Sequence, residues 1–156
     1  MHIQRGNHDL EAADYHWARC YPNTGYKVKD WFKTHLSEYL KATECLKKAI
    51  NYDEKNNKYL GLIGCCLFNT GDYENAFNYS RKAFELDNRN LDAIITLGKI
   101  ELFRHNYNEA YMYINLAVEI DNNNYEAIRL LSKYYIAKLL IKRTSRCIKY
   151  TKFILS

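Results

Sequence analysis

The sequence predicts an all-α protein, a solenoid of stacked helical hairpins, and three observations lead there. Laid against itself, the chain repeats at a single offset of 34 residues. Inside each repeat, apolar residues return at helical spacing. The composition holds one proline and six glycines in 156 residues, too few for a turn-rich β fold or a proline-rich linker.

The recurrence is uninterrupted. With residues 57–90 written above 91–124, Gly64 lies over Gly98, Tyr73 over Tyr107, Ala76 over Ala110 and Tyr79 over Tyr113. Ala83, Glu85, Asp87, Asn88 and Asn90 then meet Ala117, Glu119, Asp121, Asn122 and Asn124. One interval earlier, Tyr39, Ala42, Lys48, Ala49, Asp53 and Asn56 fall under Tyr73, Ala76, Lys82, Ala83, Asp87 and Asn90. A period of this length marks one supersecondary unit that buries its apolar face only by stacking on its neighbours.

The units follow in order. Residues 1–22 form an N-terminal helical extension, with a short helix from about Asp9 to Cys20 and a turn cluster at Pro22-Asn23-Thr24-Gly25. Residues 23–56 are a degenerate repeat. Its second helix, Ser37 to Tyr52, is well patterned, whereas its first carries Lys29, Asp30 and Lys33 where the central repeat has Ile63, Gly64 and Leu67. In residues 57–90, Leu60, Ile63, Gly64 and Leu67 make one helical stripe, and Gly71-Asp72 supplies a helix stop followed by an N-cap. Residues 91–124 repeat that plan, with Asn106 and Glu109 at capping-box spacing. Gly64 and Gly98 are expected where Ala76 and Ala110 bring paired helices closest. Residues 125–156 open with Ile128, Leu131, Ser132 and Tyr135. A weak second helix around Thr144, Ile148 and Thr151 is expected to fold back as a basic capping helix that ends the stack.

These residues resemble the tetratricopeptide-repeat family, whose pattern is W-x2-L-G-x2-Y, then A-x3-F, then P. The slots hold Leu60, Ile63, Gly64, Leu67, Ala76, Ser80 and Asn88 in the central repeat, and Ile94, Leu97, Gly98, Glu101, Ala110, Ile114 and Asn122 in the next. The resemblance implies a right-handed α–α superhelix and a non-enzymatic protein-interaction module: an adaptor, assembly factor or chaperone. It also implies a concave groove lined by the first helix of each repeat. Carried over, the groove residues are Lys58, Gly61, Cys65, Phe68 and Asn69, then Asp92, Ile95, Lys99, Leu102 and Phe103, then Glu126, Arg129, Lys133, Ile136 and Ala137. The expected occupant is a peptide or helix with apolar anchors and some acidic residues, read by Lys99, Arg129 and Lys133.

Members that hold the acidic tails of heat-shock chaperones use a Lys–Asn–Asn–Lys–Arg clamp. The matching slots here are Gly61, Cys65, Thr96, Glu126 and Leu130, or, one repeat earlier, Lys27, Trp31, Leu62, Asp92 and Thr96. The clamp is therefore absent. Chaperones of type III secretion translocators are similar in size and repeat number, and a regulatory repeat segment of a larger enzyme is the other open alternative.

Charge and side-chain chemistry narrow the remaining classes. Lys138, Lys142, Arg143, Arg146, Lys149 and Lys152 form a tail without Asp or Glu, and removing them turns the net charge from +5 to −1. Binding to nucleic acid or an anionic membrane is thus expected only through the tail. The five cysteines form no C-x-x-C, and Cys65-Cys66 lies in an apolar helix, which suits a reducing, cytoplasmic setting. No apolar run resembles a signal peptide or membrane span. Gly6-Asn7-His8-Asp9 resembles a metallophosphatase segment, but no upstream ligand motifs accompany it and His8 and His16 are poorly spaced. No phosphate loop, zinc-protease or nucleophile-elbow motif occurs, so no metal, cofactor or catalytic residue is expected.

Overall fold

Six helices make up the described part of the chain, residues 28–155 of a computed structural model. They are α1 (Val28–Ile50), α2 (Asn57–Thr70), α3 (Tyr73–Leu86), α4 (Leu91–Phe103), α5 (Tyr107–Ile120) and α6 (Tyr125–Leu155). Each packs against the next, and α2, α4 and α6 also touch in series. These three form an inner row, with α1, α3 and α5 outside it. The expected extension over residues 1–22, with its turn cluster, His8 and His16, lies outside the described residues, as does Lys27.

Two kinds of turn generate this order. Between repeats, an asparagine recurs as the cap of each inner helix. Asn56 Oδ1 accepts from Tyr59 N at 3.2 Å, Asn90 Oδ1 from Ala93 N at 3.0 Å and Asn124 Oδ1 from Ala127 N at 3.0 Å. Each supplies an acceptor to a backbone N–H that the helix cannot satisfy itself. Asn90 Nδ2 also donates to the Asn57 carbonyl at 2.7 Å, and Asn57 Nδ2 donates to Asp87 Oδ2 at 3.1 Å. The cap therefore also bonds one repeat to the next.

Within a repeat, the hairpin needs a left-handed residue followed by a polar cap. Gly71 has φ +89°, and the next N–H, of Asp72, returns to the Leu67 carbonyl at 3.0 Å. Asp72 Oδ1 then accepts from Asn75 N at 3.3 Å to start α3. One period on, His105 adopts φ +63° and Asn106 N bonds the Glu101 carbonyl at 2.9 Å. The expected capping box is not formed there. Asn106 turns its side chain back, donating from Nδ2 to Glu101 Oε2 at 2.7 Å. Glu101 is only 3% exposed and needs that partner, which Arg104 supplements at 3.5 Å.

The terminal units depart from the expected hairpins for the same reason. The slot of Gly71 and His105 is filled by Ser37 in the first unit and Leu139 in the last, and the cap slot by Glu38 and Leu140. A leucine resists the left-handed conformation by about 1–2 kcal/mol, and leucine offers no cap. Both segments run on as helix: α1 spans 23 residues and α6 spans 31. The basic capping helix does not fold back but continues α6, whose length at 1.5 Å per residue is about 46 Å. From Lys138 to Lys149 every residue is exposed.

The core lies between the rows. Leu60, Ile63, Ile94, Leu97 and Ile114 are fully buried, each worth roughly 1.5–3 kcal/mol of transfer free energy. Two glycines set the helix spacing: a Cβ on Gly64 would overlap Ser80 Oγ and come within 3.1 Å of the Ala76 carbonyl, and one on Gly98 would lie 3.1 Å from Ile114 Cγ1. Gly64→Ala should therefore destabilise by about 1–3 kcal/mol. His105→Gly, which removes left-handed strain, should stabilise by about 1 kcal/mol. Urea unfolding of the two variants checks both signs.

Candidate functional site

The inner row curves around a groove of about 410 Å³. Cys65, Phe68 and Asn69 reach it from α2, and Lys99, Leu102 and Phe103 from α4. Glu126, Arg129, Leu130 and Lys133 come from α6, and Tyr39 closes it from α1. The helical period explains the set, because residues three and four apart on each inner helix share the face opposite the hairpin stripe.

One end is aromatic. Phe68 stacks on Tyr73 with centroids 5.3 Å apart, and Tyr73 on Phe103 at 4.7 Å, leaving Phe103 60% exposed. Lys99 Nζ stands 5.5 Å from the centre of the Phe68 ring. The other end is charged. Glu126 Oε1 accepts from Lys99 Nζ and from Arg129 Nη2, each at 2.7 Å. Burial, the largest single effect on Glu126, would raise its pKa. The hydrogen bonds and charges of Lys99 and Arg129 together outweigh it and hold the carboxyl below its ordinary value. Lys133 is exposed and makes no ion pair among the described residues. Burial pushes the Cys65 thiol up to about 11, with the Lys99 charge opposing. It is a wall of the groove and no nucleophile at neutral pH.

Known proteins share this fold. The tetratricopeptide-repeat family model matches residues 58–90. The first tetratricopeptide domain of Spaghetti (RPAP3), solved with the HSP90 peptide SRMEEVD, superposes with a TM-score of 0.67 at 18% identity, covering 87% of this chain and 94% of that one. The Arabidopsis OM64 tetratricopeptide domain gives 0.60 at 17% identity, over 83% of this chain and 98% of that chain. The second such domain of human RPAP3, solved with the HSP70 peptide SGPTIEEVD, gives 0.57 at 22% identity, over 81% and 98%. This is a tetratricopeptide-repeat fold. At these identities the likeness is one of fold, and no curated protein matches the sequence.

Of the groove positions that the tetratricopeptide resemblance implied, nine meet around the cavity: Cys65, Phe68, Asn69, Lys99, Leu102, Phe103, Glu126, Arg129 and Lys133. Five do not. Gly61 is buried with its α-carbon against the Asn90 side chain, which a Cβ would approach to 2.7 Å. Ile95, only 8% exposed, belongs to the core formed with Ala127 and Leu130. Asp92 and Lys58 do not line the cavity, and burial raises the Asp92 pKa against the opposing charges of Lys58 and Lys99. Ile136 is exposed beyond the cavity, next to half-buried Ala137. Tyr39 and Leu130 were missing from the expected lining. Tyr39 shares the 34-residue slot of Tyr73 and Tyr107, which marked it as a packing residue rather than a groove residue. Leu130 is 3% exposed and forms the floor.

Side chains at the clamp slots are no more like the carboxylate clamp in space than in sequence. Cys65 and Thr96 are buried, Thr96 Oγ1 donates to the Asp92 carbonyl at 2.8 Å, and Glu126 adds a carboxylate where the clamp has a lysine. No group of three His, Cys, Asp or Glu among the described residues is placed to hold a metal ion. No helix among them is long and apolar enough to cross a membrane.

The Glu126 bridge has a pH signature. Because its folded pKa is lowered, its stabilisation is present above the ordinary glutamate value and is lost as pH falls through the lowered one. Glu126→Gln should cost about 1 kcal/mol or less near neutral pH, given partial exposure, and almost nothing in strong acid. Urea unfolding of wild type and variant at both pH values measures the closing gap.

Proposed function

We propose that the protein is a protein-interaction module that captures an extended or helical peptide in the groove of α2, α4 and α6. The supporting observation is the pairing of an aromatic end, Phe68 with exposed Phe103, and a cationic end at Arg129 and Lys133 in one cavity. Such a site takes an apolar anchor at one end and a carboxylate at the other. An anchor ring buried beside Phe103 supplies most of the affinity, since few interface residues carry the bulk of binding energy. The charged end sets direction and selectivity, because Glu126 already occupies Lys99 and part of Arg129.

The Spaghetti and human RPAP3 domains are solved with peptides ending in acidic EEVD sequences. The present groove has a glutamate, a cysteine, a threonine, a leucine and a glycine at the clamp slots. Its occupant is therefore a different peptide, with acidic residues inside the sequence and an apolar residue as anchor. Selection from a peptide display library should enrich an aromatic or aliphatic anchor spaced from an acid. Phe103→Ala and Lys133→Glu should each weaken the selected peptides by about tenfold, or about 1.4 kcal/mol. The peptide SRMEEVD should not compete in fluorescence anisotropy. Selected peptides indifferent to both substitutions would contradict the proposal.

A further inference from the structure

The last inner helix lacks a partner that its predecessors have. In the two complete repeats, the stripe at Leu60, Ile63 and Gly64 is covered by α3, and that at Ile94, Leu97 and Gly98 by α5. The same slots on α6 are Ile128, Leu131 and Ser132, followed by Tyr135. Leu60 and Ile94 are 1% and 0% exposed, whereas Ile128 is 44% and Tyr135 50% exposed. Among the described residues no second helix covers this face, and only Leu131 at its edge packs on the core; α6 does not turn at Leu139, where its predecessors turn at Gly71 and His105.

The face retains the features that accept a helix. Ser132 stands in the slot of Gly64 and Gly98, the small residues that let the second helix approach. Its hydroxyl donates to the Ile128 carbonyl at 3.0 Å, so covering it strands no polar group. Leu139, 66% exposed, extends the apolar strip by one turn.

Charge specifies the occupant. Three and seven residues beyond Leu139, Lys142 and Arg146 continue the same helical face, exposed and without ion pairs among the described residues. A helix docked as α3 docks on α2 runs antiparallel, so its N-terminal turn lies beside these cations. The positive end of its own dipole makes that unfavourable unless the turn is acidic. The chain's own second helices follow this rule, with Glu74 and Glu109 in their first turns. A second copy's α6 offers no free acidic turn, because its first-turn acid, Glu126, is already bound by Lys99 and Arg129.

We infer that α6 docks a helix from an acidic partner protein, which completes the last hairpin in trans over Ile128, Ser132, Tyr135 and Leu139. The partner helix has glutamate or aspartate in its first turn and small residues at the spacing of Ala76, Ser80 and Ala83. This surface is separate from the groove.

The test uses a synthetic helical peptide with that small-residue spacing and glutamates in its first turn, titrated against the whole chain by fluorescence anisotropy. Replacing the glutamates by lysines should weaken binding by tenfold or more. Ile128→Gln with Leu139→Gln should do the same while leaving the circular dichroism spectrum unchanged, since both side chains are already exposed. Ser132→Phe makes the face more apolar yet blocks close approach, and should also abolish binding. Equal binding of both peptides overturns the inference. So does a dimer in sedimentation that Ile128→Gln/Leu139→Gln dissociates, or binding to phosphatidylserine vesicles that Ser132→Phe strengthens.

Discussion

The structure depends on one backbone conformation, the left-handed residue that ends an inner helix and releases the chain into a cap. Where it is present, at Gly71 and His105, the chain reverses and two helices pack across a glycine. Where it is missing, at Ser37 and Leu139, the helix runs on. The number of hairpins, the ends of the stack and the exposed face of α6 all follow from those four residues. Glycine takes the conformation freely, and histidine does so at a cost the surrounding turn must offset.

A second regularity links the repeats. Among the three asparagines that cap inner helices, Asn90 also ties its repeat to the one before, through the Asn57 carbonyl. The N-cap bond is common to Asn56, Asn90 and Asn124, which recur without an insertion between them, and at Asn90 capping and repeat stacking share one residue. The groove inherits its geometry from this regular stacking: equivalent faces of α2, α4 and α6 are presented side by side, and their chemistry differs only because their side chains do.

Much of this was legible in the sequence. The 34-residue period located α2 to α5, and the hairpin stripe implied which face is left for the groove. The departures came from three-dimensional partners that a repeat pattern does not carry. Ile95 sits at a groove slot, yet α6 leans over it through Ala127 and Leu130 and takes it into the core. Glu126 was counted beside Lys99 and Arg129 as one lining residue among others, but it binds both and neutralises part of the expected positive end. Asn106 had the spacing of a capping box, and the buried Glu101 carboxylate claimed its side chain instead. The weak second helix of the last unit did carry its signal in the open, as leucines where a turn and a cap belong.

The measurement that bears most directly on this account is the distance across residue 139. Spin labels placed at Arg129 and Lys149 through genetically encoded side chains would report it by pulsed electron resonance. A continuous α6 separates the two sites by twenty residues at 1.5 Å each, a backbone distance of about 30 Å. A hairpin closing at Leu139 would bring two packed helices side by side, with their axes about 8–10 Å apart. A narrow distribution near the longer value is the expected result, and a dominant short distance would contradict the account.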